Sequence, residues 1–213
     1  MTATVSIERR QKILDMMRLQ DSINRKIDAD WVQQEREWYR AVWIECAELM
    51  EHYGGWKWWK KERADMDQVL LEIVDIWHFG LSSLLSCDSD WSITAAKVDR
   101  EWDRKIEVVD FHRSVEGLAE DVLRTKEFSI KSFSAVVRSC EFSFEDLYKS
   151  YVGKNVLNRF RQDNGYKTGS YAKTWDGKED NEVLGEILQG LGVTIEDFES
   201  AVYAELESRY LDS

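Results

Sequence analysis

The stretch LLEIVDIWHFGLSSLL, residues 70–85, decides the fold class that we expect for this chain. Its apolar residues cover nearly every side of a helix, which is the pattern of a helix buried in a protein core. Two acids, Glu72 and Asp75, interrupt it. An ionised carboxylate is rarely buried without a partner, because its desolvation is expensive. These two acids therefore either face solvent or meet a cation inside the protein.

Helical spacing of apolar residues continues along most of the chain, which contains no proline. Because proline is the commonest helix breaker, its absence favours long helices. Two helix starts, Ser143–Asp146 and Thr194–Asp197, have the form of a capping box. The sequence thus predicts one all-α domain over residues 1–213. The predicted helices are 6–27, 31–53, 65–86, 91–126, 129–140, 144–162, 181–190 and 195–210.

Composition and charge narrow the class of protein. The 213 residues are 43% hydrophobic and 33% charged, as in a globular domain, and the net charge of −12 argues against binding nucleic acid or an anionic membrane. Cys46, Cys87 and Cys140 show no C-x-x-C spacing, so we expect small core residues rather than disulfides. No apolar run reaches the length of a membrane span, and charges occupy the place of a signal peptide's apolar run. We expect a cytoplasmic protein.

A second acid pair, Glu45 and Glu48, lies on the preceding predicted helix. Residues three apart share a helix face, and the short connection 54–64 allows an antiparallel pair in which both acidic edges meet. Four carboxylates brought together repel one another by roughly 4 kcal/mol per pair at about 4 Å, which a divalent cation would relieve. Oxygen ligands without a histidine or cysteine cluster favour Mg²⁺ or Mn²⁺ over Zn²⁺. Solvent-exposed acids on amphipathic helices remain the alternative, although Glu72 and Asp75 have no polar face around them.

Positive charge concentrates near the end of this acidic chain. The segment 163–180 holds three glycines and has no helical stripe, which predicts a long loop. Glycines let backbone N–H groups approach phosphate oxygens, and Lys and Arg supply charge. This pattern favours a polyphosphate that spans the metal site and the loop, with a solvated basic face as the alternative. Residues 149–178 contain two acids and seven bases, namely Lys149, Lys154, Arg159, Arg161, Lys167, Lys173 and Lys178.

Amide and aromatic side chains offer a place for a base. Gln20 and Asn24 are four residues apart, so both amides share one face of the first helix and could read a pyrimidine edge. Trp56, Trp58 and Trp59 follow the Glu45/Glu48 helix, where an indole could stack on a base. Core packing is the alternative for each tryptophan.

These motifs resemble a known family. ECAEL (45–49) followed by EIVDIWHF (72–79) resembles the E-x-x-E…E-x-x-D metal signature of the all-α nucleoside triphosphate pyrophosphatases. Within that superfamily, WKWWK (56–60) and GKNVLNRFRQDNGYKTGSYAKTWDGKEDNEVL (153–184) resemble the dimeric dUTPases of bacteria, phages and trypanosomatids. Residues 88–140 match none of these motifs and would be the variable middle of the family.

The resemblance implies a homodimeric helical bundle with a long C-terminal phosphate-binding loop. It implies that dUTP and dUDP are hydrolysed to dUMP by a metal-activated water that attacks the β-phosphate, with Mg²⁺ as cofactor (Mn²⁺ possible). The implied catalytic residues and metal ligands are Glu45, Glu48, Glu72 and Asp75, with Glu45 orienting or deprotonating the water. The resemblance also implies two sets of substrate-binding residues. Those implied to bind phosphates are Lys154, Asn158, Arg161, Tyr166 and Lys173. Those implied to surround uracil and deoxyribose are Gln20, Asn24, Trp58, His78 and Asn181.

Three alternatives stay open from the sequence. The segment YGG, residues 53–55, is one residue longer than is usual in the family, which leaves the stacking residue open among Trp56, Trp58 and Trp59. A dCTP/dUTP pyrophosphatase, or a broader pyrophosphatase, would differ from a dUTPase only in a few hydrogen bonds to the base. A nucleotide-gated protein-interaction module is the third reading, because phage relatives of the family bind repressors.

Overall fold

The computed structural model describes residues 2–61, 63–87, 90–104, 110–191 and 195–211, except for the side chains of 2–6 and 195–196. Over these ranges the chain forms nine α-helices, one 3₁₀ turn (η1) and one two-stranded hairpin. The predicted all-α fold is confirmed. The elements are α1 (Thr2–Ile27), α2 (Trp38–Tyr53), α3 (Met66–Cys87), α4 (Trp91–Trp102), α5 (Phe111–Thr125), α6 (Ile130–Ser139), α7 (Phe144–Asp163), η1 (Tyr166–Thr168), β1 (Thr174–Trp175), β2 (Lys178–Glu179), α8 (Asp180–Gly190) and α9 (Ile195–Leu211).

The second helix begins later than predicted. Residues 31–35 form turns, and α2 starts only at Trp38. The Asp28 carboxylate accepts a hydrogen bond from the backbone N–H of Asp30, a local bond that competes with helix formation. The turns also bury Trp31, whose indole N–H donates to Asp21 at 3.0 Å. Burial of a large indole therefore prevails over the helical periodicity of this segment.

The predicted helix 91–126 was wrong as one element. Helix α4 ends at Trp102 and α5 begins at Phe111, while 105–109 lie outside the described residues. Asp110 is the N-cap of α5, because its carboxylate accepts the backbone N–H of Arg113 at 3.1 Å. An N-cap aspartate satisfies an orphan helix donor, so it begins a new helix.

Of the two predicted capping boxes, one is confirmed. The Ser143 hydroxyl accepts the Asp146 N–H at 3.2 Å, and the Asp146 carboxylate accepts the Ser143 N–H at 2.8 Å. For the second box, Thr194 lies outside the described residues.

The predicted loop 163–180 contains regular structure that periodicity could not indicate. It holds η1 and an antiparallel hairpin in which Thr174 pairs with Glu179 and Trp175 with Lys178. Asp176 and Gly177 at the hairpin turn have φ of 49° and 83°. Two consecutive positive φ angles are typical of the tight turns that join hairpin strands, and Asp-Gly is a preferred pair there.

The chain divides into two compact units, Met1–Tyr148 and Lys149–Ser213. The prediction of one domain over the whole chain stays a prediction. In the first unit, the fully buried Trp77 of α3 stacks on Phe133 with 5.1 Å between ring centroids. Gly80 packs so tightly that a Cβ atom there would lie 2.5 Å from the Phe128 ring. Aromatic packing around α3 therefore forms the core of this unit.

The second unit has its own aromatic core around the buried Phe160 of α7. Its ring lies within 6.3 Å, centroid to centroid, of four other rings, those of Tyr171, Trp175, Tyr203 and Tyr210. Three of these rings come from segments that sequence periodicity assigned to a loop or to the end of a helix.

Helix α3 is long and apolar enough to cross a membrane by length and composition, but 67% of its apolar window is buried inside the protein. A core helix passes the same test, and its burial here accords with that role.

Cys46 and Cys140 are buried as predicted, whereas Cys87 at the end of α3 is exposed. The prediction that all three cysteines are core residues was therefore wrong for Cys87, because the final turn of α3 extends beyond the core.

Candidate functional site

An acidic cluster forms where α2 and α3 pack together. Glu45, Glu72 and Asp75 each offer one carboxylate oxygen, and these oxygens all lie within 4.8 Å of one another. Glu72 is only 6% exposed, and the other two acids are half-buried. The acids inside the apolar stretch 70–85 thus face a further carboxylate across the helix pair.

The geometry favours a protonated Glu45 at neutral pH when no cation is present. Burial raises the pKa of Glu45 to about 8, helped by repulsion from Asp75, Glu72 and Glu48. The nearby His52 has its Nε2 3.6 Å from a Glu72 oxygen. Three clustered carboxylates whose mutual repulsion is relieved by positive charge fit a divalent cation with a preference for oxygen ligands.

The fourth predicted ligand, Glu48, lies outside this group. Its side chain is exposed, although it is near enough to raise the pKa of Glu45. The buried side chains Val42, Cys46 and Leu49 set the rotation of α2, so Glu45 turns towards α3 while Glu48 faces solvent. The structure therefore brings together three of the four predicted acids.

A buried polar network joins α1 to α3. Gln20 donates to Asn24 Oδ1 and to Ser82 Oγ, both at 3.0 Å, and Asn24 donates to Ser82 Oγ at 2.9 Å. His78 Nδ1 lies 2.7 Å from Gln20 Oε1. Three of the five residues predicted to surround uracil and deoxyribose, Gln20, Asn24 and His78, are thus gathered in one place, through Ser82, which sequence reasoning missed.

Ser82 determines how the network is oriented. Its hydroxyl donates to the backbone carbonyl of His78 at 3.0 Å, so its lone pairs accept from the two amide groups. Gln20 therefore turns its carbonyl oxygen towards His78 Nδ1, which carries the proton. In a neutral imidazole the other nitrogen, Nε2, is then a hydrogen-bond acceptor.

The tryptophans after α2 lie at the surface. Trp58 is 88% exposed, and Trp56 and Trp59 are also exposed. Trp59 makes edge contacts with both neighbours, and Lys57 Nζ lies 4.9 Å from the Trp56 ring centroid. Trp58 is the most exposed of the three, and the choice of the stacking residue among them stays as the sequence left it.

In the second unit, α7 and the start of α8 form a cationic cluster. Lys154, only 2% exposed, donates to Asn181 Oδ1 at 3.0 Å. Arg161 donates to the same oxygen at 3.2 Å and to Asn158 Oδ1 at 3.1 Å. Three of the five residues predicted to bind phosphates, Lys154, Asn158 and Arg161, therefore converge, and Asn181, which was predicted to surround uracil and deoxyribose, joins them.

The other two predicted phosphate-binding residues are more peripheral. Tyr166 is exposed, with its ring centroid 6.0 Å from the Arg161 guanidinium carbon. Lys173 is also exposed, and its Nζ lies 3.8 Å from a Glu179 oxygen. Asp180, which the sequence analysis did not single out, is instead a central member of the cluster, since its carboxylate accepts two hydrogen bonds from Arg161.

Comparison with known protein families decides the identity. A family model described as dUTPase matches residues 12–166, which include the acidic cluster, the Ser82 network and all of α7. The chain belongs to the dUTPase family. The resemblance to the dimeric dUTPases that its motifs indicated is thereby confirmed, and the protein is a dUTP diphosphatase. A search of curated proteins finds no match to this dUTPase.

Proposed function

We propose that this dUTPase hydrolyses dUTP and dUDP to dUMP by attack of water on the β-phosphorus, with Mg²⁺ held by Glu45, Glu72 and Asp75. The observation that carries the proposal is the convergence of these three carboxylates within 4.8 Å. Hard oxygen donors suit Mg²⁺, with Mn²⁺ as the second choice. Glu48 would complete the set from its solvent-facing position.

The cation supplies charge neutralisation for the phosphate chain and lowers the pKa of water. Glu45 is our candidate for the residue that orients this water and accepts its proton. Without a cation the pKa of Glu45 is about 8, and cation binding would lower this pKa and favour the ionised form that can accept a proton.

The cationic cluster of the second unit is the proposed phosphate-binding group. Lys154, Asn158, Arg161 and Asn181 are already hydrogen-bonded to one another, so little side-chain order is lost when an anion binds. Tyr166 and Lys173 would add contacts from the surface.

Hydrogen-bond chemistry favours dUTP over dCTP. We propose that His78 Nε2, an acceptor in the tautomer that the network favours, receives the N3–H of uracil. Cytosine carries no hydrogen at N3, so the same nitrogen would meet a lone pair. Gln20 and Asn24 hold His78 in this tautomer, and Trp58 is the proposed stacking residue. An enzyme that accepts dCTP as well as dUTP is less compatible with so constrained an imidazole.

We also propose that the enzyme acts as a homodimer in the cytoplasm. Support for the dimer comes from the motifs shared with the dimeric dUTPases, and support for the location comes from the burial of α3 inside the protein.

A pyrophosphate-release assay across dUTP, dCTP, dTTP and UTP, with and without Mg²⁺, tests the proposal. We expect Mg²⁺-dependent turnover that is fastest for dUTP, and release of inorganic phosphate from dUDP. Glu72→Gln and Asp75→Asn should abolish turnover, whereas Glu116→Gln on the exposed face of α5 should not. Near-normal kcat in either cluster variant would remove these residues from the site.

A further inference from the structure

The guanidinium of Arg161 is held on one edge by a carboxylate that is completely buried. Asp180 is 0% exposed, and its two oxygens accept hydrogen bonds from Arg161 Nε and Nη2, both at 2.7 Å. This paired geometry fixes the plane of the guanidinium as well as its position.

A tyrosine holds the carboxylate in turn. The hydroxyl of Tyr171 donates to Asp180 Oδ2 at 2.8 Å, the same oxygen that accepts Arg161 Nε. Burial, with the charge of Asp180, raises the pKa of Tyr171, so the hydroxyl keeps the proton that it donates. Tyr171 is itself buried and stacks on Tyr210, with 5.4 Å between ring centroids.

The backbone places these residues against one face of α7. Asp180 is the first residue of α8, and its N–H donates to the Lys173 carbonyl at 3.0 Å across the hairpin. Lys154, Asn158 and Arg161 are spaced four and three apart, so they share the helix face that meets this point. Among these side chains two cations face one carboxylate, which leaves net positive charge for an anion.

We infer that Asp180 and Tyr171 are positioning residues, which aim the Arg161 guanidinium at the phosphate chain of the substrate. This inference rests on the proposed phosphate-binding role of the cluster. A buried ion pair often adds little net stability to a fold, so a folding role is a weak explanation of the arrangement. A fixed cation that stays ordered before the anion arrives does explain it, because less ordering is then needed on binding.

The test measures binding of inorganic pyrophosphate and of deoxyuridine by calorimetry, beside kcat and KM for dUTP. Asp180→Asn keeps the volume of the side chain but weakens the hold on Arg161, so pyrophosphate affinity should fall about 10- to 100-fold. Tyr171→Phe should lower it about threefold. Deoxyuridine affinity should stay within twofold of the wild type in both variants.

Tyr203→Phe is the matched control, because that hydroxyl donates to the exposed carboxylate of Asp163 at 3.2 Å and should leave pyrophosphate affinity unchanged. If Asp180→Asn does not fold, as judged by circular dichroism, Tyr171→Phe alone decides the matter. Wild-type pyrophosphate affinity in the folded variants, or an equal loss for deoxyuridine, would overturn the inference. If Asp180→Asn lowers pyrophosphate affinity as expected but the wild type does not hydrolyse dUTP, only the proposed function fails.

Discussion

The acidic cluster makes the stability of the metal-free enzyme depend on pH. Glu45 has an ordinary pKa of 4.5, which the folded protein raises to about 8. Between these two values the folded protein holds a proton that the unfolded chain has released. The resulting stability is therefore fully present below pH 4.5 and is lost as the pH rises through 8.

The size of the effect follows from the difference between the two pKa values. Taken in full, the difference between the two pKa values corresponds to about 5 kcal/mol in the free energy of unfolding. Solvent screening of a half-buried carboxylate reduces this to about 2 kcal/mol. For a chain of this length, that amounts to a fall in Tm of about 4–8 °C between pH 5 and pH 9.

Mg²⁺ should reverse this loss. A cation at one hundred times its Kd adds about 2.7 kcal/mol of stability, and it binds best when the carboxylates are ionised. We expect the Mg²⁺-induced rise in Tm to be larger at pH 8.5 than at pH 6, at matched ionic strength. Tryptophan fluorescence during a thermal scan, with ten indoles in the chain, gives the measurement.

Two variants make this prediction refutable. Glu45→Gln cannot ionise, so its Tm should change less between pH 5 and pH 9, and its response to Mg²⁺ should be weak. Glu116→Gln should behave like the wild type. If Glu45→Gln kept the full pH dependence, or the full response to Mg²⁺, the reasoning about the cluster would be refuted.

Three further predictions concern other parts of the first unit. Ser82→Ala removes the hydroxyl that fixes the orientation of the Gln20 and Asn24 amides. The ratio of kcat/KM for dUTP to that for dCTP should therefore fall about 3- to 10-fold. An unchanged ratio would contradict the role of the network. Gly80→Ala places a methyl group against the Phe128 ring and should cost about 1–3 kcal/mol in urea unfolding. Adding Phe128→Leu should restore part of that loss, and no recovery would point to another cause. Asp99→Asn weakens a buried carboxylate that accepts Arg9 Nε at 2.6 Å and should cost about 1–3 kcal/mol without changing turnover; a stability equal to wild type would show that this ion pair is energetically neutral.

Local sequence patterns were sufficient to predict the helices but not to predict where the helices are interrupted. The apolar spacing of 70–85 and the lack of proline predicted α3 within two residues at each end, because that pattern reports directly which sides of a helix are buried. The break before Phe111 escaped prediction, because the capping bond of Asp110 competes with periodicity over one or two residues only. The hairpin after η1 had a local signal, Asp-Gly, that periodicity does not read.

The functional site, like the fold, was predictable from the sequence only in part. The sequence by itself determined that two neighbouring helices carry paired acids and that a basic glycine-containing segment follows, since both are properties of spacing and composition. Only the tertiary structure decided that Glu45 turns inward and Glu48 outward, because core packing sets the rotation of α2. It also decided the roles of Ser82 and Asp180. Their hydrogen-bond partners lie as many as 62 and 19 residues away along the chain, and such distant contacts leave no periodic trace in a sequence.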